Sequence, residues 1–166
     1  PGAEPRADKS GYHLFKPVPK DLMRELSTDR PDKTESAYTV DAGHFQIESD
    51  LFAFERDRNN PEHDGTRVDA YSFASTNFKM GLTNSIDIQF VFEPHTISKT
   101  RARDEDGVVF HETQQGFGDL TVRTKFNLFG NDAGGKALAL MPFVTFPTNQ
   151  DELGTEGVEF GLIIPY

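Results

Sequence analysis

The sequence predicts an all-β fold, an antiparallel meander that forms part of a transmembrane β-barrel of the bacterial outer-membrane type. Three observations favour this class. Polar and apolar residues alternate over stretches of about ten residues, as in strands with one wet and one dry face. The connections between these stretches alternate between long and short. Strands of this length, tilted by about 40°, span roughly 25 Å, which is the height of the apolar band of such barrels.

The alternation is clearest from position 119 to position 128. One face of this stretch carries Leu120, Val122, Phe126 and Leu128. The opposite face carries Asp119, Arg123 and Lys125. Because side chains of a strand point alternately to its two sides, this stretch predicts a strand with a charged face and an apolar face.

Five further stretches complete a prediction of six strands. They cover residues 44–56, 68–82, 86–93, 137–147 and 158–164. In the first, Phe45, Ile47 and Leu51 oppose His44, Glu48 and Asp50, and in the third the apolar residues oppose Asp87 and Gln89. Short turns are expected near Asn84 and in the glycine-rich stretch 130–135. Long connections are expected at 57–67, which has turn signals at 59–65, and at 94–115 and 148–157.

Periodicity alone leaves two folds open. In an outer-membrane barrel the apolar face meets lipid and the charged face lines the lumen. In a soluble lipocalin-like barrel or sandwich, the alternative, the interior would bind a small apolar ligand. Loop asymmetry, strand length and aromatic residues near the strand ends favour the membrane barrel. The residues expected to line its lumen are His44, Glu48, Asp50, Asp87, Gln89, Asp119, Arg123 and Lys125.

Residues 1–36 form a polar lead-in, and residues 37–166 carry the strands. The lead-in holds five prolines and equal numbers of basic and acidic residues, and a short helical turn is expected over 19–26. We expect it to be a tether or a plug-like extension. The remainder carries the whole net charge of −10. Since nucleic-acid binding depends on a basic surface, this acidic body argues against a nucleic-acid partner.

The sequence contains no pattern typical of an enzyme, a metal site or a cofactor site. It has no cysteine, no glycine-rich phosphate loop and no nucleophile elbow. His44 and Glu48 share a strand face, but four residues of strand place them about 13 Å apart, too far for one metal ion. The stretch 104–107 lacks the spacing of a calcium loop. No long apolar run could form a spanning helix. We therefore expect a non-enzymatic protein without cofactor.

Several motifs resemble one family of bacterial outer-membrane transporters, labelled with the meta-pathway of phenol degradation. The stretches that carry the resemblance are 27–32, 38–46, 116–128 and 137–143. The resemblance covers about residues 27–164 and implies a β-barrel in the outer membrane of a Gram-negative bacterium. It implies outer-membrane lipid as a partner and passage of small, aromatic or hydrophobic solutes. Members of the family are longer, and this chain resembles their N-terminal half.

Six strands are expected to be an incomplete barrel. Known single-chain bacterial barrels start at eight strands, and even eight leave an interior that side chains just fill. An open sheet would also expose unpaired backbone groups at both edges, which hydrocarbon does not tolerate. The alternating residues 158–166 end in an aromatic residue, as complete barrels do, but Pro165 suits a turn better than a paired strand.

Overall fold

The computed structural model describes residues 8–29, 34–60, 66–103, 106–132 and 135–166, with the backbone alone at positions 59 and 60. Several predicted features lie outside these ranges. They are the start of the lead-in, positions 30–32 of the first resembling stretch, the turn signals at 61–65, positions 104 and 105 of the stretch compared with a calcium loop, and positions 133 and 134 of the glycine-rich turn.

The described residues form one antiparallel sheet. Its strands are β1 Phe45–Asn60, β2 Thr66–Thr83, β3 Ile86–Phe92, β4 His95–Arg103, β5 Val109–Gly116, β6 Leu120–Phe129, β7 Leu138–Phe146 and β8 Glu159–Ile163. Within the described part of the chain, the helical structure is a single 3-10 turn at Lys20–Leu22, inside the span where a helical turn was predicted. The predicted all-β, antiparallel class is therefore confirmed.

The strands follow one another across the sheet as a meander. One side of β2 pairs with β1, and its other side pairs with β3 and then with β4. The sheet continues through β6 and β5, then β7 and β8. β1, β5 and β8 each pair with a single strand and so form its edges, and no pairing joins them to one another among the described residues. The sheet is therefore open in the part of the chain that is described.

The segment 94–115, predicted as a long loop, contains β4 and β5, so that prediction was wrong. The register is continuous across the break: Phe92 pairs with Leu120, and four residues further along each strand Thr96 pairs with Gly116. The third predicted strand is thus longer than expected and is made by β3 and β4 in succession. The fourth predicted strand is likewise longer, because β5 precedes β6 in the same line. Their continuation was missed because β4 has hydroxyl side chains on one face and basic ones on the other, which leaves no apolar periodicity.

One face of the sheet is apolar and exposed. A row of cross-strand partners on this face runs from β1 to β8 through Ile47, Phe78, Phe90, Val122, Val144 and Phe160. At its two ends Ile47 is 68% exposed and Phe160 is 85% exposed, and the four residues between them are half-buried among their neighbours in the sheet. An apolar row of this length, open to the surroundings across a whole sheet, is the reverse of what a water-soluble sheet presents.

The opposite face is polar and buried, and we call it the covered face. Its largest fully buried side chains include Lys125, Gln89 and Asp87. The alternation predicted for residues 119–128 is confirmed in β6, where Lys125 is 0% exposed and its neighbour Phe126 is 38% exposed. The buried apolar residues are few and mostly small, such as Ala37, Ala137 and Ala139. Polar contacts therefore dominate this interior.

The covered face is buried by the chain's own N-terminal segment, here defined as described residues 8–29 and 34–43. The backbone amide of Leu14 donates to Leu82 at 2.9 Å, and that of Gly43 donates to Gly81 at 2.9 Å. A Cβ atom at position 81 would lie 2.1 Å from the carbonyl oxygen of Asp41. Glycine at this position is what lets the segment lie directly against β2. The segment continues past position 36, where the lead-in was expected to end.

The stretches around Asn84 and Asn131 meet the N-terminal segment at one end of the sheet. The side-chain amide of Asn131 donates to the carbonyl oxygen of Asn84 at 2.5 Å, and Arg24 donates to the same oxygen at 3.1 Å. Since the strands are antiparallel, the last residues of β1, β4 and β7 lie at the opposite end. Among the described residues, no helix has both the length and the apolar character needed to cross a membrane.

Candidate functional site

The centre of the covered face is an ion-pair cluster made by Asp29, Glu48, Lys79 and Lys125, here called the carboxylate–lysine cluster. Lys79 lies on β2 and binds Glu48 of β1 at 2.6 Å and also Asp29. Lys125 of β6 binds the same Asp29 oxygen at 3.0 Å. The side chains of all four are at most 5% exposed. Since burying an unpaired charge costs several kcal/mol, this density of pairing is what allows the charges to be there.

Asp29 reaches the cluster from the N-terminal segment and is held from both sides. Its own backbone amide donates to Glu48 Oε2 at 3.1 Å, and the amide of Ser36 donates to its Oδ1 at 2.7 Å. Burial opposes ionisation, but Lys125 and Lys79, together with the hydrogen bonds from Lys79 and Ser36, hold the pKa of Asp29 well below its ordinary value. Asp29 is therefore a permanent carboxylate at neutral pH.

A second polar group, next to the cluster, lies on β3. The amide of Val40 in the N-terminal segment donates to Asp87 Oδ2 at 3.0 Å, and Gln89 donates to the other oxygen at 3.0 Å. Asn77 donates to Gln89 at 3.2 Å. Asp87 is the cross-strand partner of Lys125, and Gln89 is the partner of Lys79. The pairing of strands thus places amides and carboxylates beside the two lysines.

Arg123 of β6 lies at the margin of this site, where it pairs with Glu35 of the N-terminal segment. Burial raises the pKa of Glu35, and the neighbouring Asp29 carboxylate adds to the rise, against the lowering effect of Arg123. Glu35 Oε2 and Arg123 Nε are both buried without a hydrogen-bond partner in the structure. The polar atoms of this ion pair are thus less completely hydrogen-bonded than those of the carboxylate–lysine cluster.

A separate ion-pair group fixes the N-terminal segment at the end with the short turns. Asp132 binds Lys9 at 2.8 Å and Arg24 at 3.1 Å, and Asn84 donates to it at 2.8 Å. Burial opposes ionisation, but these contacts outweigh it and lower the pKa of Asp132. Thr39 is also bound there, because its amide donates to Asn131 at 3.0 Å.

A pocket of about 500 Å³ lies between the N-terminal segment and the start of β1. Its lining includes Met23, Leu26 and Tyr38, and it reaches Phe45, whose ring stacks on Phe78 of the apolar face. Lys79, Gln46 and Arg24 contribute polar groups to the same wall. The pocket therefore brings aromatic and aliphatic surface next to one lysine of the carboxylate–lysine cluster.

The structure brings together four of the eight residues predicted to line a lumen. Glu48, Asp87, Gln89 and Lys125 are all buried on the covered face, and Arg123 lies beside them. His44 lies just before β1, where its ring contacts the carbonyl oxygen of Val18 at 2.7 Å. Asp50 is half-buried further along β1.

Asp119 has a different place: it directly precedes β6 and contacts the connection that follows β7. It accepts hydrogen bonds from the amide of Thr155 at 2.6 Å and from the side chain of Asn149 at 2.7 Å. Slight burial opposes ionisation, but these hydrogen bonds outweigh it and lower the pKa of Asp119. Its contacts are those of a residue that holds the connection between β7 and β8 in shape.

Sequence reasoning missed Asp29 and Lys79, which are central to the cluster. Lys79 follows Phe78 and precedes Met80, so the alternation of β2 could have placed it on the polar face. Asp29 lies in an irregular segment without periodicity, and nothing in the sequence pairs it with lysines 50 and 96 positions further on. No group of metal-binding side chains occurs among the described residues.

Comparison with known proteins agrees with the resemblance seen in the motifs. No curated protein and no solved structure gave a match. A family model does match, and it spans residues 28–166, which include every strand and the second half of the N-terminal segment. The chain therefore belongs to the family described as "Putative MetA-pathway of phenol degradation".

Proposed function

We propose that this chain is part of a non-enzymatic β-barrel in the outer membrane of a Gram-negative bacterium, and that the barrel passes small aromatic or hydrophobic compounds. The observation that carries the proposal is the inverted distribution of residues over the two faces of the sheet. Val122 and its row partners are apolar and face outwards, while Lys125 and Asp87 are completely buried. A sheet with this distribution is stable where the surroundings are lipid and the interior is wet.

The same observation weighs against the soluble alternative. A lipocalin-like barrel that binds an apolar ligand needs an apolar interior and a polar exterior. Here the covered face holds two lysines and three carboxylates, while Leu51 is 87% exposed on the other side of β1. In water, an exposed apolar surface of this extent would promote association.

The description of the family supports small aromatic compounds as the solutes. Its description connects it with phenol degradation, so the compounds to be passed are small aromatic molecules. The described part of the chain has a pocket that fits such a molecule, lined by Tyr38 and Leu26 together with polar residues. Charged side chains on the inner wall of a barrel would then select among solutes by charge and dipole.

Two measurements on the full-length protein test the proposal. Membranes from cells that produce it are washed with alkaline carbonate, which removes soluble and peripheral proteins. The protein is expected in the membrane pellet, and its release into the wash would refute the membrane location. The purified protein is then placed in a planar lipid bilayer, where it is expected to conduct ions. If the protein stays in the pellet but conducts no ions, passage through the barrel is refuted and the membrane location still stands.

A further inference from the structure

We propose that Lys79 and Lys125 form a binding site for the carboxylate of a small apolar organic anion, and that Asp29 occupies this site as an internal substitute. The inference adds a ligand site to the proposed function. The physiological role of that site rests on the proposed function. The ligand class follows from the group now bound there: a single carboxylate oxygen accepts hydrogen bonds from both ammonium groups.

The lysines belong to the sheet, while the carboxylate belongs to the N-terminal segment. Lys79 and Lys125 lie on β2 and β6, and the register of β3 between them fixes their separation. The third ion pair between the segment and the strands, Glu35 with Arg123, has the same polarity. In these three pairs, among the described residues, the sheet supplies the cation and the segment supplies the anion. Within the cluster, Asp29 and the sheet's own Glu48 balance the two lysines, so removal of Asp29 leaves one positive charge uncompensated and favours an anion there.

The contacts of the segment with the covered face are of a kind that a solute can replace. They are mostly hydrogen bonds and ion pairs, such as Val40 to Asp87 at 3.0 Å and Asn127 to Ala37 at 2.8 Å. The apolar side chains that the segment buries are small, namely Val18, Ala37, Val40 and Ala42. Little apolar area is lost when such a segment moves, so a competing carboxylate need replace only polar contacts.

The pocket beside Lys79 supplies the second half of the site. Tyr38, Leu26 and Lys79 are among its lining residues, so the pocket adjoins the carboxylate–lysine cluster, of which Lys79 is a member. A ligand with an apolar body and one carboxylate could place the body in the pocket and its carboxylate on Lys79. An aromatic acid of the size of benzoate is the simplest molecule with this form.

The test uses the full-length protein in detergent or vesicles and measures hydrogen exchange of the amides in residues 34–43, which include the Val40 amide bound to Asp87. Sodium benzoate at neutral pH is expected to raise the exchange rate of this stretch in a saturable way, by about tenfold, because the carboxylate replaces at least one charged hydrogen bond. Benzyl alcohol has the same ring without the charge. It should leave the rate unchanged, as should sodium chloride at the same ionic strength.

Two variants locate the effect. Lys125→Gln should abolish the response to benzoate, whereas Lys99→Gln, a change of an exposed lysine on β4, should retain it. Asp29→Ala empties the site, so residues 34–43 should exchange fast already without benzoate, and the benzoate concentration needed for half-saturation, measured by calorimetric titration, should fall by about tenfold. This second variant keeps both lysines and serves if Lys125→Gln does not fold.

The outcomes separate this inference from the proposed function. No effect of benzoate, or an equal effect of sodium chloride or benzyl alcohol, would overturn the carboxylate site even if the protein conducts ions in a bilayer. A saturable effect of benzoate that needs Lys125 would support the site even if no conductance is found. In that case the proposal of passage through the barrel would be rejected, and the proposal of the binding site would stand.

Discussion

Lys125 donates from Nζ to Asp29 Oδ2 at 3.0 Å, and both side chains are almost completely buried. The two residues are 96 positions apart, so this contact ties an irregular segment near the start of the chain to the middle strands of the sheet. Tyr38 adds a second contact between the segment and Lys125, because its carbonyl oxygen accepts a hydrogen bond from the Lys125 ammonium group at 3.3 Å. Replacing Asp29 therefore changes how firmly the N-terminal segment covers the sheet.

Asp29→Asn is expected to weaken the docking of the N-terminal segment by about 3 kcal/mol, the lower end of the range for breaking a buried ion pair. The lower end applies because Lys79 keeps Glu48 as a partner. The measurement is the rate of tryptic cleavage after Arg24, which is 10% exposed when the segment is docked. The exposed Lys20 provides an internal reference, and Glu156→Gln, at an exposed position outside the segment, is the control. Equal cleavage rates in the two variants would contradict the role of Asp29.

Docking of the N-terminal segment is expected to depend on pH with a maximum near pH 4. The pKa of Asp29 is depressed, so its contribution is complete above its unfolded value of about 3.9 and is lost as the pH falls further. The pKa of Glu35 is raised, so its contribution is complete below about 4.3 and is lost as the pH rises through the raised value. Docking should therefore weaken towards strong acid and towards neutral pH.

Hydrogen exchange of residues 34–43, corrected for the intrinsic pH dependence of exchange, measures this profile. Asp29→Asn should remove the weakening in strong acid and keep the change towards neutral pH. Glu35→Gln should do the reverse, since it removes the carboxyl whose ionisation is opposed by burial and by the neighbouring Asp29 carboxylate. A profile that is flat between strong acid and neutral pH would show that neither carboxyl controls docking.

The sequence predicted the strands better than the site because the two depend on different kinds of pattern. Strands such as β6 show alternation, a local property that can be read from neighbouring residues. The cluster depends on an irregular segment that returns to the sheet, and Asp29 has no local signal for Lys125. Alternation did place Glu48, Asp87 and Lys125 on polar faces. What it could not provide was the partner that buries them, since that contact is set by the tertiary fold.

Gly81→Ala is expected to displace the N-terminal segment from β2. A Cβ atom there would lie 2.1 Å from the carbonyl oxygen of Asp41, and backbone on both sides prevents a side-chain rotation from relieving the clash. A cost of about 1–3 kcal/mol is usual for forced overpacking of this kind. Cleavage after Arg24 should become faster. Gly157→Ala is the matched control because a Cβ atom at position 157 meets nothing within 4 Å. No difference between the two would contradict close packing of the segment on β2.

Val122→Arg is expected to destabilise the full-length protein in a lipid bilayer by about 2–4 kcal/mol, since an arginine on the lipid-facing side near mid-membrane loses its hydration. Val122 lies in the middle of the exposed row, between Phe90 and Val144. Thr121→Arg, one residue away on the opposite face, should cost much less and serves as the control. Urea unfolding in vesicles measures both. If the Thr121 variant were the less stable one, the assignment of lipid to the apolar face would be wrong.

The two ends of the sheet are expected to lie on opposite sides of the outer membrane. The end with the turns near Asn84 and Asn131 carries the N-terminal segment, and the end where β4 meets β5 carries Arg101 and Arg103. In outer-membrane barrels the short turns are periplasmic and the long connections are extracellular. Trypsin added to intact cells should therefore cleave near Arg101 or Arg103.

Lys136 should resist the same treatment, although it is exposed and directly follows the turn between β6 and β7. It is expected to become a cleavage site once the outer membrane is permeabilised, which shows that membrane topology, and not local structure, protects it. Mass spectrometry of the fragments distinguishes the sites. Cleavage after Lys136 in intact cells, with Arg101 and Arg103 protected, would reverse the topology. It would also place the N-terminal segment, which is bound to the same end through Asn131 and Asp132, at the cell surface.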